Sequence, residues 1–323
     1  MDVIALGEIL IDFTESGVSE TGMKLFEQNP GGAPANVLVA LAKWGKKTGF
    51  VGKVGSDMHG LFLKRVLMQN NVDVSQLIVD DDVFTTLAFV ELNEKGERKF
   101  SFARKPGADT CIKRDEVSRE YIESAKIFHF GSLSLTDEPS RGATLKALEM
   151  AEKAGKIISY DPNYRPLLWK SRDQAIENMR SVLGYVDVMK ISEEETELLT
   201  GKKEPAEAAK ILVEKGISMV AVTLGAEGTL ICTKKGSVVA GGFQTSVVDT
   251  TGAGDSFWAG FLYKLLESEK DPDQISLDEL KTFGRFGNAV ASLCIEKRGA
   301  IPAMPSLERV NQRAAEPFSL TFV

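Results

Sequence analysis

Histidine and cysteine are nearly absent from this chain, and the shortage limits its chemistry. Among 323 residues there are two histidines, His59 and His129, and three cysteines, Cys111, Cys232 and Cys294. Neither type has a paired spacing, which argues against a structural zinc site and a disulfide framework. Positive charge is short too: 39 Lys and Arg stand against 46 Asp and Glu, a net charge of −7. A general nucleic-acid surface would be basic, so no nucleic-acid partner is expected. Long apolar runs are missing. None approaches the ~20 residues of a membrane span, so no membrane partner is expected either. The opening "MDVIALGEILIDF" is apolar but carries Asp2, Glu8 and Asp12. That suits a strand and not the apolar region of a signal peptide. Repeats and low-complexity tracts are absent as well. With 43% hydrophobic residues, the chain reads as a reduced, cytoplasmic protein with an ordinary globular core.

What the chain does have is alternation. Residues 2–12 read as a strand, "PANVLVALAKWG" as a helix with Pro34 in its first turn, and "TGFVGKVG" as a strand. "SDMHGLFLKRVLMQN" reads as a helix capped by Ser56 or Asp57. The plan repeats through strand "KIFHFG", helix 139–154, strand "KIISYD", helix 173–184, strand "VDVMKI", helices 193–200 and 205–215, and strand "SMVAVTLG". Strands alternating with helices predict an α/β fold with a mostly parallel sheet covered on both faces. Two segments break the pattern. Residues 14–30 are polar and poorly periodic. Residues 85–103 alternate around "NEKGE", which predicts a hairpin with one wet and one dry face. They are either two surface excursions or one small lid sheet over the edge where open α/β folds bind ligands. Periodicity does not separate these two.

The informative stretch is "VVDTTGAGDSFWAGF". Gly252 and Gly254 are expected to give the backbone freedom, and the turn opens a helix whose N-terminal amides and dipole favour an anion. No "GKS" or "GKT" follows, so this is not a Walker A loop, and it lacks the third glycine of a dinucleotide fingerprint. Asp255 is out of place beside a phosphate unless a hydroxyl lies between them. Asp255 would then take the hydroxyl proton as the oxygen attacks the γ-phosphorus. The plainer alternative is that Asp255 merely caps the helix. Ser256 as a hydrolase nucleophile would need a histidine partner, and only His59 and His129 exist.

Two motifs together resemble the ribokinase-like (PfkB-type) carbohydrate kinases, and most closely the fructokinases among them. These are "DTTGAGDSF" and "GGAPANVLVALAKWGKKTGFVGKVGSDMHG". "KISEEETELLTG", "TLGAEGTLI" and "GNAVASLCIEKRGAIP" are similar to the family's intervening blocks, so the likeness covers essentially the whole chain. It implies a doubly wound sheet with a small β lid: residues 1–13, 31–84 and 104–323 as the large domain, and 14–30 and 85–103 as the lid. It also implies phosphorylation of a sugar hydroxyl by ATP with Mg²⁺. On the motif positions Asp255 is the implied base, and Gly252, Ala253 and Gly254 form the anion hole. Asp12, Gly31, Gly32 and Asn36 are implied to meet the sugar, with Phe100, Phe102 and Arg104 on the lid hairpin and Arg165 beside them. Lys190, Ser192, Thr223, Gly225, Gly228, Asn288 and Ser292 are implied nucleotide contacts. Glu195 would organise Mg²⁺ through water, with Ser192 where the family often has Asn. The carbonyls of Asp249, Thr251, Cys294, Lys297 and Gly299 would hold a monovalent cation such as K⁺, although Ala303 stands where the family can have serine.

The expected acceptor is fructose, phosphorylated on a primary hydroxyl. The alternatives are 2-keto-3-deoxygluconate, ribose or a nucleoside on the same fold, or a non-catalytic sugar-binding regulator. A homodimer through the lid is expected if the lid has an exposed apolar face.

Overall fold

The first apolar run serves two sheets. Val3–Leu6 (β1) lies in a nine-stranded sheet, and Leu10–Val18 (β2) belongs to a separate four-stranded one. The expected single strand over 2–12 is therefore broken at residues 7–9. The structure, a computed structural model, describes residues 1–92 and 98–316, so the hairpin tip "NEKGE" lies outside the described residues.

In β1 the side chains alternate between two cores. Val3 and Ala5 belong to one apolar cluster, and Ile4 and Leu6 to the other. That is the signature of a strand covered on both faces. The small sheet uses β2, Lys24–Gly31 (β3), and two strands from the later segment, Leu87–Leu92 and Arg98–Ala103. The polar run 14–30 is thus an antiparallel hairpin, hidden from periodicity because much of it is exposed. Thr48–Gly55 (β4) follows helix Ala33–Lys43 (α1), and Val72–Asp80 (β5) follows Met58–Gln69 (α2). Strand β5 was not expected. Its register with β4 shifts between Gly49 and Val51, which blurs the alternation. Asp57, not Ser56, caps α2, accepting from the amides of His59 and Gly60.

The lid strands Leu87–Leu92 and Arg98–Ala103 are β6 and β7. The large sheet then adds Ile127–Gly131 (β8), Ile157–Asp161 (β9), Val188–Ser192 (β10) and Met219–Thr223 (β11). A hairpin of Gly228–Thr233 (β12) and Gly236–Gly241 (β13) closes the edge. The order is β13-β12-β11-β10-β9-β8-β1-β4-β5, parallel except for the β12–β13 edge. One face is covered by α1, α2, Ala253–Ser268, Leu277–Cys294 and Leu307–Ala315. The other carries Arg119–Glu123 (α3), Ser140–Lys153 (α4), Arg172–Ser181 (α5), Thr196–Thr200 (α6) and Pro205–Glu214 (α7). The three C-terminal helices are α8, α9 and α10. The expected helix 193–200 opens as a 3-10 turn, Glu193–Glu195, before α6.

From β1 the chain winds one way to β4 and β5 and the other way to β8 through β11. The crevice at such a reversal, outside the strands' C-terminal ends, is where open α/β sheets take ligands.

Candidate active site

A cavity of about 470 Å³ occupies that crevice. The ends of the large-sheet strands supply Glu8, Leu133, Asn163, Tyr164, Arg165, Lys190 and Glu194; the small sheet supplies Leu10, Asp12, Thr14, Val90 and Phe102. The start of α1 adds Gly32, Ala33 and Asn36, and the turn into α8 adds Thr250 to Asp255. The two segments singled out from sequence, 30 to 36 and 249 to 255, therefore meet in one cavity although about 220 positions separate them.

At the mouth of α8, Gly252 occupies the N-cap with φ of 77°, and the helix has no side-chain cap. Asp255 is thus not the cap. It is the third helical residue, buried, and its Oδ2 accepts a 2.7 Å hydrogen bond from Asn36 Nδ2. Burial pushes the Asp255 carboxyl above the usual carboxylate range, while the Asn36 bond, Lys190 and Arg165 pull it back and Glu195 adds to the rise. Gly254 corrects the expectation of backbone freedom: only Gly252 has a positive φ, and Gly254 is helical. Gly254 is needed for space, because a Cβ there would lie 2.7 Å from Lys190 Nζ. Ala253 turns its amide back to the Thr250 carbonyl at 3.2 Å.

Lys190 therefore presses against the turn into α8. Its Nζ donates to both oxygens of Asp161, at 3.1 and 2.9 Å, with both side chains buried. Burial works against its charge, but Asp161, Glu195 and Asp255 outweigh it and hold the ammonium firmly protonated. Asp161 was not picked out from sequence. Its signal was a carboxylate closing an apolar strand, "IISYD", at the sheet's C-terminal edge.

Glu195 is buried. Its two oxygens accept from the amides of Tyr164, at 2.7 Å, and Ser192, at 2.7 Å. Ser192 and Glu195 form a capping box at the 3-10 turn Glu193–Glu195. On the small-sheet side, Asp12 lies over Gly31, where a Cβ would collide with the Asp12 carboxylate. Phe102 lines the cavity from β7. Phe100 pairs with Val90 across the hairpin, and its side chain lies outside the described residues.

Arg104 does not line this cavity. Its guanidinium is buried against Asp109, with Nε at 2.8 Å and Nη2 at 2.7 Å from Oδ2, and it also donates to Thr136 Oγ1 and the Leu133 carbonyl. Asp109 Oδ1 accepts from the Thr86 hydroxyl. Thr86 and Arg104 sit just outside the two ends of the β6–β7 hairpin, so Asp109 fastens both points where the hairpin leaves the large domain.

The remaining expected residues lie apart from the cavity lining. Thr223 ends β11 beside Ser192, and Gly225 and Gly228 shape the turn that follows, at φ of 57° and 104°. Asn288 on α9 is buried, accepting from Thr229 and donating to the carbonyls of Ala240 and Gly241. Ser292, one turn on, donates to Ala289 and accepts from Arg313. Asp249 ties the anion turn to the loop after α9, accepting from Thr251 N, Thr251 Oγ1 and Gly299 N. Cys294 closes α9, and its carbonyl accepts from Lys297 N. Among the described residues no group of three His, Cys, Asp or Glu side chains could hold a metal.

The family model for pfkB family carbohydrate kinases matches residues 1–307. The chain belongs to this family. A probable fructokinase-2 of Arabidopsis thaliana is 44% identical over 312 residues, covering 94% of this chain and 93% of the relative. A fructokinase from Xylella fastidiosa with bound ATP superposes with a TM-score of 0.87 at 32% identity, covering 96% of this chain and 97% of that one. A fructokinase double mutant from Vibrio cholerae O395, in fructose, ADP and potassium ion bound form, gives 0.87 at 31%, covering 97% and 98%. The ribokinase-like architecture expected from sequence, a large mostly parallel sheet with a smaller separate sheet, is the one these kinases share with this chain.

Proposed function

We propose that this carbohydrate kinase phosphorylates D-fructose on its 6-hydroxyl with ATP, giving fructose 6-phosphate and ADP. The similarity to fructokinases supports the acceptor, and one observation in the cavity carries it further. Arg104, just past the end of the lid hairpin, is engaged by Asp109, while the sugar end is lined by Glu8, Asp12, Asn36 and Asp255. Such a lining is rich in acceptors, which a neutral polyol satisfies with its hydroxyl donors. Ketodeoxygluconate would bring a further carboxylate among these acceptors, and the cations that line the cavity, Lys190 and Arg165, are assigned here to the phosphates.

The chemistry follows from the chain's own groups. Asp255 accepts the proton of the primary hydroxyl as its oxygen attacks the γ-phosphorus in line. The glycine turn before α8 directs amides at the phosphoryl oxygens, aided by the helix dipole and by Lys190 and Arg165. Asn36 orients the Asp255 carboxylate. Phe102 and the small sheet cover the sugar and exclude water that would compete as acceptor. Mg²⁺, bound with the triphosphate, supplies charge neutralisation; Glu195 fits a water-mediated contact, since each oxygen accepts one amide and keeps lone-pair capacity. A K⁺ ion held by the loop carbonyls of Asp249, Thr251, Cys294, Lys297 and Gly299 would order the anion turn. Thr223, Gly225, Gly228, Asn288 and Ser292 would flank the adenosine.

The enzyme is read as a cytoplasmic homodimer. Supporting the dimer, the small sheet carries a half-buried Phe13–Phe89–Phe26 ring cluster, and Leu25 of its strand β3 is exposed. Among the described residues no helix is long and apolar enough to cross a membrane. The deciding assay couples ADP formation to added sugar across fructose, ribose, adenosine and ketodeoxygluconate. Fructose should give the highest kcat/KM; a higher value for another acceptor removes the assignment, and ADP formation indifferent to sugar supports a regulator.

A further inference from the structure

Among the described residues six buried side-chain atoms lack any hydrogen-bond partner, and two of them, Glu8 Oε2 and Asn36 Oδ1, belong to residues lining the one cavity that holds Asp255. Glu8 stands just past the end of β1, at the reversal of strand order, and is 2% exposed. Its Oε1 has a structural task, accepting 2.8 Å from the amide of Ala33 at the start of α1. That bond holds the glycine pair before α1 against the strand end, and a Cβ on Gly32 would press into the Glu8 carbonyl. Its Oε2 has no such task. A buried carboxylate oxygen without a partner costs free energy, and native proteins keep one only where something else fills the place.

We propose that Glu8 is a specificity-determining residue of the sugar site, whose Oε2 takes a hydrogen bond from a hydroxyl of the bound acceptor. The inference rests on the sugar-kinase reading and adds a contact to it. Chemistry favours a hydroxyl over other occupants. The atom is an acceptor, its neighbour Asn36 Oδ1 is another, and Asp12 faces the same cavity from the small sheet, so a ligand with several O–H groups satisfies them together. The charged groups beside Glu8 are Arg104 and Asp109, already paired with each other. Burial, reinforced by Asp109 and opposed by backbone amides and Arg104, brings the carboxyl to about 7, so in the free enzyme it is not a firmly held carboxylate. The hydroxyl donates to the ionised form, so a bound sugar favours loss of the Glu8 proton, and the amide nitrogen that Glu8→Gln puts in place of Oε2, a donor only, cannot replace that acceptor. A site built to bond a hydroxyl discriminates strongly against a sugar that lacks it.

The test uses Glu8→Gln, which keeps an oxygen for the Ala33 amide and replaces only Oε2. The KM for fructose should rise roughly 10- to 100-fold, the loss of one hydrogen bond to a charged group, with KM for ATP unchanged. In a deoxyfructose series that retains the 6-hydroxyl, one analogue should bind poorly to the parent and suffer no further loss in the variant. An unchanged KM for fructose, or an equal loss for every sugar, overturns the proposal. The parent chain gives a second readout that needs no variant: with carbon-13 in the glutamate carboxyls, the signal titrating near pH 7 should shift when fructose is added. A signal blind to fructose counts against Glu8 just as firmly. Failure of the acceptor assignment is separable, because the parent then turns over another sugar and the Glu8 comparison is made with that sugar.

Discussion

Asn36 on α1 donates its amide to Asp255 on α8 at 2.7 Å, joining two motifs that lie 219 positions apart. The bond does two things to the base: it fixes which oxygen points away from Asn36, and it lowers a carboxyl that burial has raised. Asp255→Asn should therefore lose about 10² to 10⁴-fold in kcat, with ATP affinity retained, because the carboxylate serves the hydroxyl and not the nucleotide. Asn36→Ala removes a lowering influence, so the Asp255 pKa rises further and the acid limb of the kcat profile moves to higher pH. A profile that stays in place would mean that Asp255 does not govern that limb.

How much of this was legible in advance depended on whether chemistry or tertiary placement set each feature. The glycine turn and Asp255 could be singled out because a carboxylate beside an anion-favouring turn is costly without a ligand, and the "GGAPAN" segment because it resembles a family motif. The parallel sheet could be read because its strands are short and apolar between amphipathic helices. Asp161, Glu8 and Asp109 could not. Each is one carboxylate at an element's end, and sequence alone does not show that a buried lysine, an empty cavity or an arginine is opposite it. Arg104 shows the reverse case. Its place on the lid hairpin suggested a hand for substrate, and only the fold shows the guanidinium turned to Asp109. The expected freedom of Gly254 fails for a similar reason, since its constraint comes from Lys190 on a strand 64 positions earlier.

That constraint makes a contrast between the two glycines of one turn. Gly254→Ala puts a methyl 2.7 Å from Lys190 Nζ but suits the helix, where alanine is better than glycine by up to ~1 kcal/mol. It should lower kcat/KM for ATP about 10- to 100-fold as the ammonium is displaced, and the helical gain should offset only part of the cost of straining the buried Lys190–Asp161 pair. Gly252→Ala meets a φ of 77° and the Ala300 side chain at 2.6 Å, so it should lower activity and also cost about 1–2 kcal/mol of stability. A Gly252→Ala variant that melts with the parent would show that position 252 carries neither backbone strain nor a costly clash.

Asp109 should matter to stability more than its distance from the chemistry suggests. Both partners of its ion pair are nearly inaccessible, with side-chain exposures of 3% for Arg104 and 2% for Asp109. Asp109→Ala leaves a buried guanidinium without its counter-charge and frees Thr86, a change that costs about 3–5 kcal/mol in comparable buried pairs. Chemical denaturation of parent and variant measures this directly. Hydrogen exchange should also quicken in the strand amides of residues 87–92 and 98–103, since both ends of that hairpin are fastened through Asp109. Loss of stability without faster exchange there would remove the fastening role.

Glu8 should show what its contact costs the unliganded fold. Its carboxyl titrates near 7 when folded against 4.5 for an ordinary glutamate, with burial as the largest cause. A group whose folded pKa is raised binds its proton more tightly in the native state. Its contribution is therefore fully present below pH 4.5 and is lost as pH rises through 7. In Glu8→Gln nothing titrates at this position. Relative to the parent, the variant's stability should climb between pH 4.5 and 7 and level off above, by an amount on the order of 3 kcal/mol. Denaturant unfolding without sugar at pH 5, 6, 7 and 8 traces the curve, and a difference that stays constant across that range would mean that burial does not raise this carboxyl. Added fructose should narrow the gap at pH 8, because the parent alone then gains the hydroxyl bond to Oε2. A variant that is more stable and yet binds sugar more weakly is the expected result for a carboxylate kept buried for its ligand.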